Sequence, residues 1–164
     1  MKDHFVPGGC LACLGRGASL SIWAIRLCAS GGYDAPGVYD HLIAVFGAAT
    51  HRFVRQLDSL SAVLGRDGSK VIILAPPSFT ALTHHEATLL EVFEASQKNQ
   101  ETIVADRIAS LIGRPALPAE LAIVQDYAAV FIEHGLAINS LETFPPSQVI
   151  DRSRVIASPY AGHA

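Results

Sequence analysis

Apolar residues recur every three or four positions along most of this chain, which is the spacing of helices that bury one face. The longest such stripe runs from Val38 to Leu64, behind a helix start predicted at Asp34. Gly47 lies inside this stripe and predicts a kink or a split, after which Thr50 can restart the helix. Further stripes cover residues 20–29, 84–97, 101–112 and 118–134. We therefore predict a mainly α fold, a compact antiparallel bundle of about five helices.

The segment that precedes the stripe at residues 84–97 carries the clearest strand signal. Residues 70–75 include a run of β-branched and aliphatic side chains, which predicts at most one short strand-like segment, and the prolines at 76–77 end it. Thr83 and Glu86 then have the spacing of a capping box, in which each side chain binds the backbone N–H of the other residue. The box predicts that a helix begins at His84.

The length of 164 residues is typical of one domain with a sizeable core. Residues 1–17 are rich in glycine and predict an irregular N-terminal lead-in. Residues 18–143 hold the helical stripes and predict a single helical domain. Residues 144–164 lack a long apolar period, so we expect a loosely docked or mobile C-terminal tail.

The apolar composition raises the question of a membrane. Half of the residues are hydrophobic, 16% are charged and the mean hydropathy is +0.33, which excludes wholesale disorder. The longest apolar stretch, residues 18–29, carries Arg26 and is too short to cross a bilayer. It also lacks the basic leader and the small-residue cleavage site of a signal peptide. We therefore expect no transmembrane segment and a cytoplasmic location.

The charges and cysteines narrow the classes of partner. A formal net charge of -3 without a cluster of lysine or arginine argues against nucleic acid, because phosphate binding normally needs a basic stripe. The three cysteines are an odd number, so we expect reduced thiols and no disulfide framework. Low charge combined with abundant apolar residues favours a face that is covered by a protein partner, and a homodimer is one form of this. The alternative is that the apolar residues form the core of a monomer.

A metal site is the most specific chemical candidate in the sequence. Cys10 and Cys13 form a C-x-x-C motif, which can hold one tetrahedral zinc ion from a tight turn. Two histidines would have to complete the site, either His84 and His85 or one of these together with His4. The positive end of the helix dipole keeps such histidines neutral, which suits a ligand. The alternative, which we favour, is that the cysteines are small apolar residues and the histidines are ordinary polar residues of a first turn.

Other catalytic templates are missing from the sequence. It contains no E-x-x-H pair, no H-E-x-x-H motif and no phosphate-binding loop. Leu14 follows the C-x-x-C motif where covalent haem attachment requires histidine, and the βαβ setting of a redox C-x-x-C is absent. A pocket lined by Arg26, His41 or His84 is the remaining enzymatic alternative, without a spacing to support it. We therefore favour a protein that is not an enzyme.

Three motifs give the chain a resemblance to other proteins. They are C-x-x-C at 10–13, W-x-x-R at 23–26 and E-A-x-L-L at 86–90, the last one following an extended run and two prolines. In this combination the chain resembles small, mainly helical bacterial proteins of uncharacterised function. The resemblance implies helices and no activity. Such proteins place cysteines before the capped helix, where this chain has Pro-Ser-Phe at 77–79, so the resemblance does not extend to a shared metal site.

Three functional hypotheses follow. The first is a non-enzymatic helical interaction or regulatory protein that binds a protein partner or itself through an exposed apolar face. The second is a helical protein that binds zinc through Cys10 and Cys13 with His84 or His85. The third is an enzyme for a small molecule, whose site carries no recognisable motif.

Overall fold

The chain folds into a mainly α bundle, as predicted, in a computed structural model that describes residues 4–32, 35–65 and 69–140. The described helices are α1 (Arg16–Ala29), α2 (Val38–Phe46), α3 (Thr50–Gly65), α4 (His84–Gln97), α5 (Glu101–Ile112) and α6 (Pro118–Glu133). Two short strands, β1 (Phe5–Cys10) and β2 (Ala81–Thr83), pair antiparallel. None of the described helices is long and apolar enough to cross a membrane.

The long apolar stripe is divided at Gly47, as its sequence predicts. Gly47 has φ 53° and ψ -125°, a conformation that residues with a side chain rarely adopt, and it ends α2. A turn of 3-10 helix follows over Gly47–Ala49, and α3 begins at Thr50. The Thr50 hydroxyl donates to the Gly47 carbonyl over 2.7 Å, which fixes the junction. The helix start predicted at Asp34 lies outside the described residues.

Aromatic residues from three helices fill the centre of the core. Phe46 of α2 stacks on Phe53 of α3 with 4.2 Å between the ring centroids, and Phe131 of α6 packs edge-on against both rings. Tyr127 of α6 is also buried, and burial raises the pKa of its phenol above the ordinary value. Its hydroxyl lies 3.1 Å from the hydroxyl of Ser21 in α1, so the buried phenol has a partner.

The strand predicted near residues 70–75 is wrong in position. Residues 71–75 have no regular secondary structure and pair with no described strand, and Val71 is 83% exposed. The backbone of this segment instead binds side chains at the start of α4. Ile73 donates its N–H to His85, and its carbonyl accepts from the Thr83 hydroxyl. The Ile73 N–H and carbonyl are thus bound by side chains and not by a neighbouring strand.

The strands lie elsewhere, partly in the lead-in that the sequence predicts as irregular. β1 pairs with β2 so that Phe5 is opposite Thr83 and Cys10 is opposite Ala81, with an irregular register between them. Gly8, with φ 74°, adopts a left-handed conformation within this irregular stretch, which a residue with a side chain rarely does. The glycines therefore bend a strand instead of breaking it. The predicted tail, 144–164, lies outside the described residues.

Candidate functional site

A buried ion pair organises the side of the bundle where β1, α1 and α4 meet. Arg26 of α1 and Glu86 of α4 are both fully buried. The Arg26 Nε donates to Glu86 Oε1 over 2.6 Å, and Nη2 donates to Glu86 Oε2 over 2.8 Å. This parallel pair of hydrogen bonds is the strong geometry for arginine and a carboxylate. Arg26 can therefore be buried in the apolar helix α1 because Glu86 compensates its charge.

The same guanidinium holds residues 76–81, which we call the strap. Nη1 donates to the Phe79 carbonyl over 2.5 Å, and Nη2 donates to the Ala81 carbonyl over 2.8 Å. The strap is held from its other side by Leu11, whose N–H donates to the Thr80 carbonyl over 2.7 Å. Arg26 thus ties an irregular segment to α1 by backbone contacts that leave the side chains of the strap free to face outward.

Glu86 completes this arrangement from the start of α4. Its carboxylate also accepts the N–H of Ala75 over 3.0 Å and the N–H of Thr83 over 2.9 Å. The Glu86 N–H in turn donates to the Thr83 hydroxyl over 3.1 Å, so the predicted capping box is present. Arg26, Glu86 and Thr83 together fix the chain on both sides of the strap.

An open apolar cleft of about 610 Å³ lies between the strap, α1, α2 and the 3-10 turn Leu11–Cys13. Its lining is mostly apolar and comes from four separate stretches of sequence: Leu11, Ala12, Arg16, Ser19, Leu20, Trp23, His41, Val45, Pro77, Ser78, Phe79 and Thr80. Several of these large apolar side chains remain accessible. Phe79 is 48% exposed, and Trp23 and Val45 are half-buried.

Ring contacts fix the aromatic residues of the cleft. Trp23 packs against His41 of α2 in an edge-on arrangement, with 5.3 Å between the ring centroids. Phe79 on the strap stacks on Phe5 of β1 with the centroids 5.7 Å apart. These contacts reduce the freedom of the two aromatic side chains while leaving part of their surface accessible. Trp23, which lies in the apolar stripe at residues 20–29, thus forms a wall of the cleft.

The charge in the cleft is of one sign. Arg16, the first residue of α1, is the permanently charged side chain among the described lining residues, and this lining contains no aspartate or glutamate. Ser19 is engaged with the fold, since its hydroxyl donates to the Leu11 carbonyl over 2.8 Å. The described lining therefore offers no carboxylate to orient His41 as a base.

The residues predicted for a zinc site are distributed over both ends of β1. Cys10 ends this strand opposite Ala81, whereas the strand begins at Phe5, opposite Thr83 and next to His84. Because Ala81 and Thr83 are two residues apart in β2, the irregular register keeps the two ends of β1 closer together than a straight strand of the same length would. Neither Cys10, which is half-buried, nor Cys13, which is exposed, forms a disulfide among the described residues. Within the part of the chain that the structure describes, no group of three or more His, Cys, Asp and Glu side chains is placed to hold a metal ion.

His85 has a structural role in this region. Its Nδ1 accepts the N–H of Ile73 over 2.8 Å, which requires a neutral ring. Burial lowers the pKa of His85 below 6.5, and the nearby His4, His84 and Lys70 lower it further. The zinc hypothesis itself stays a prediction.

Comparisons of this chain with known protein families, curated proteins and solved structures find no match. The function of the protein is therefore inferred from the geometry of the cleft. Two parts of the cleft were not singled out by sequence reasoning, namely Arg16 and the exposed face of Phe79. Arg16 could have been noticed in the sequence because it is a cation at the start of a helix, where the helix dipole favours an acidic residue.

Proposed function

We propose that this protein is a non-enzymatic interaction protein that binds an apolar segment of a protein partner in the cleft between α1, α2 and the strap. The observation that carries the proposal is the cleft itself. It keeps Trp23, Val45 and Phe79 partly accessible to solvent, although the apolar residues of the core are closed to it. Accessible aromatic and aliphatic side chains in a concave site are typical of protein recognition.

The cleft is preorganised for binding. Its outer wall is the strap, and Arg26 and Leu11 hold that strap by hydrogen bonds to its backbone carbonyls. A wall that is fixed before binding avoids the entropy cost of ordering a loop on association. The volume of about 610 Å³ is sufficient for several side chains of a bound segment.

The composition of α2 supports the same interpretation. This helix has the sequence VYDHLIAVF, but only Leu42 and Phe46 are buried. His41 and Val45 line the cleft on one side of the helix, and Tyr39 and Ile43 are exposed on the other. An amphipathic helix in a monomer normally buries most of its apolar residues, so the surface around α2 is suited to a partner.

The proposal is tested with peptides selected from a display library on the wild-type protein. Ala12 is an exposed cleft residue, and the variant Ala12→Trp fills the cleft without removing a core side chain. Ala122 is an exposed alanine on α6, so Ala122→Trp is the matched control. We expect selected peptides to lose at least about tenfold in affinity with Ala12→Trp and to keep their affinity with Ala122→Trp.

A second copy of the chain is the alternative occupant of the cleft. Sedimentation over a range of protein concentrations distinguishes it, because a homodimer formed through the cleft would dissociate with Ala12→Trp and persist with Ala122→Trp. Peptides that bind both variants equally well, or the absence of any selectable peptide, would contradict the proposed function.

A further inference from the structure

We infer that the segment bound in the cleft carries a carboxylate, from an aspartate or glutamate beside its apolar residues, and that Arg16 recognises it. This inference rests on the proposed function and names the chemistry of the partner. It is based on charge complementarity, because Arg16 lines an apolar cleft whose described lining contains no acidic residue. A partner segment with a lysine or arginine in the same place would be repelled.

Arg16 differs from most of the described cationic residues in having no carboxylate partner. Ion pairs are made by Arg26, Arg52, Lys98, Arg107 and Arg114. Arg16 makes no ion pair with any residue of the described segments, although it is exposed and flanks the cleft. Its planar guanidinium can bind a carboxylate through two parallel hydrogen bonds, which sets both the charge and the orientation of the ligand.

The position of Arg16 in α1 strengthens this argument. It is the first residue of the helix, where the helix dipole is positive and a cation is unfavourable. The first turn contains no acidic residue that would offset the charge, and Gly15 at the N-cap offers no side chain. Positive charge is therefore concentrated at one end of the cleft. A residue that is unfavourable for its own helix, as this cation is at the N-terminus of α1, is typical of functional sites.

The two parts of the cleft together describe the occupant. Trp23, Val45 and Phe79 offer apolar contacts, and Arg16 offers the ionic contact. The complementary ligand is an amphipathic segment, with aromatic or aliphatic side chains in the cleft and an acidic residue at the N-terminal end of α1. Because Arg16 is exposed, its ion pair would contribute to association rate and specificity as well as to affinity.

The test compares Arg16→Gln with Arg55→Gln. Both arginines are exposed, and neither makes an ion pair among the described residues, so both variants should fold. Peptides selected on the wild-type protein should be enriched in aspartate and glutamate. Their affinity should fall roughly 5- to 20-fold with Arg16→Gln and stay unchanged with Arg55→Gln. The salt dependence of binding should also be weaker with Arg16→Gln.

The outcomes separate this inference from the proposed function. Peptides that depend on the cleft, as judged by Ala12→Trp, but that lack acidic residues and bind Arg16→Gln normally would overturn the inference and leave the proposed function intact. Peptides that are insensitive to Ala12→Trp would overturn both. Acidic peptides that lose affinity equally with Arg16→Gln and Arg55→Gln would reveal a general charge effect and would also overturn the inference.

Discussion

Replacing Glu86 with glutamine tests the role of the buried ion pair with the smallest possible change of shape. Each carboxylate oxygen of Glu86 accepts two hydrogen bonds. Oε1 accepts from Arg26 Nε and the Ala75 N–H, and Oε2 accepts from Arg26 Nη2 and the Thr83 N–H. A glutamine in either orientation therefore directs its NH2 group at two donors. The variant leaves the Arg26 charge buried without its counterion.

The expected loss of stability is large. Breaking a buried ion pair by removing one charge costs about 3–5 kcal/mol, because the remaining charge is left uncompensated. For a domain of this size, that loss corresponds to a decrease in the melting temperature of roughly 6–20 °C. Since the unfolding free energy of a domain is typically about 5–15 kcal/mol, Glu86→Gln should remove a substantial part of it.

Urea unfolding followed by circular dichroism and by the fluorescence of Trp23, the single tryptophan, measures this loss. Glu133→Gln is the matched control, because Glu133 pairs with Arg52 over 2.6 Å while the two side chains are 47% and 40% exposed. We expect the control to lose less than about 1 kcal/mol. A Glu86→Gln variant whose unfolding free energy lies within about 1 kcal/mol of the control would refute the reasoning.

Two further predictions concern other parts of the fold. Hydrogen bonding from Arg114 lowers the pKa of Glu120 below 4.5, so the stabilisation from this carboxylate is complete above pH 4.5 and is lost as the pH falls through its folded-state pKa. Unfolding free energies measured across this range should fall less steeply with acid in Glu120→Gln than in the wild type, and equal slopes would contradict this. A Cβ at Gly17 would collide with the Ala137 carbonyl, so Gly17→Ala should cost about 1–3 kcal/mol in urea unfolding. Gly65→Ala, in α3 with open space around it, should be neutral or slightly stabilising, and equal effects of the two substitutions would contradict the packing.

The helices were predictable because their signals are local. The capping box of Thr83 and Glu86 lies within one helical turn, and its two hydrogen bonds are present. The conformation of Gly47 follows from the absence of a side chain, so the division of the apolar stripe also had a local cause. Periodicity and caps of this kind specify an element without reference to the rest of the fold.

The site was not predictable in the same way because its contacts are distant in sequence. Arg26 and Glu86 are 60 positions apart, and only the fold shows that they form a pair. Residues 70–75 resemble a strand, but the N–H groups of Ile73 and Ala75 donate to side chains of α4, whereas glycine-rich β1 finds a partner in β2. In both segments, tertiary hydrogen bonds outweighed the intrinsic β-propensity of the residues.

The cleft combines residues that have no pattern in common. Trp23 fits an ordinary amphipathic stripe, His41 resembles a surface histidine and Phe79 lies in a proline-rich loop. Their proximity depends on the strap, whose course is fixed by Arg26. A sequence can therefore predict that apolar surface is available for a partner, but the fold is needed to locate it.

The most direct test of the proposed function is the affinity of one library-selected peptide for three proteins, the wild type, Ala12→Trp and Ala122→Trp, measured by fluorescence polarisation. Binding that weakens at least about tenfold only when Ala12 is replaced would place the partner segment in the cleft, as predicted. Equal affinities for all three proteins would contradict the proposal, because the peptide would then bind without entering the cleft.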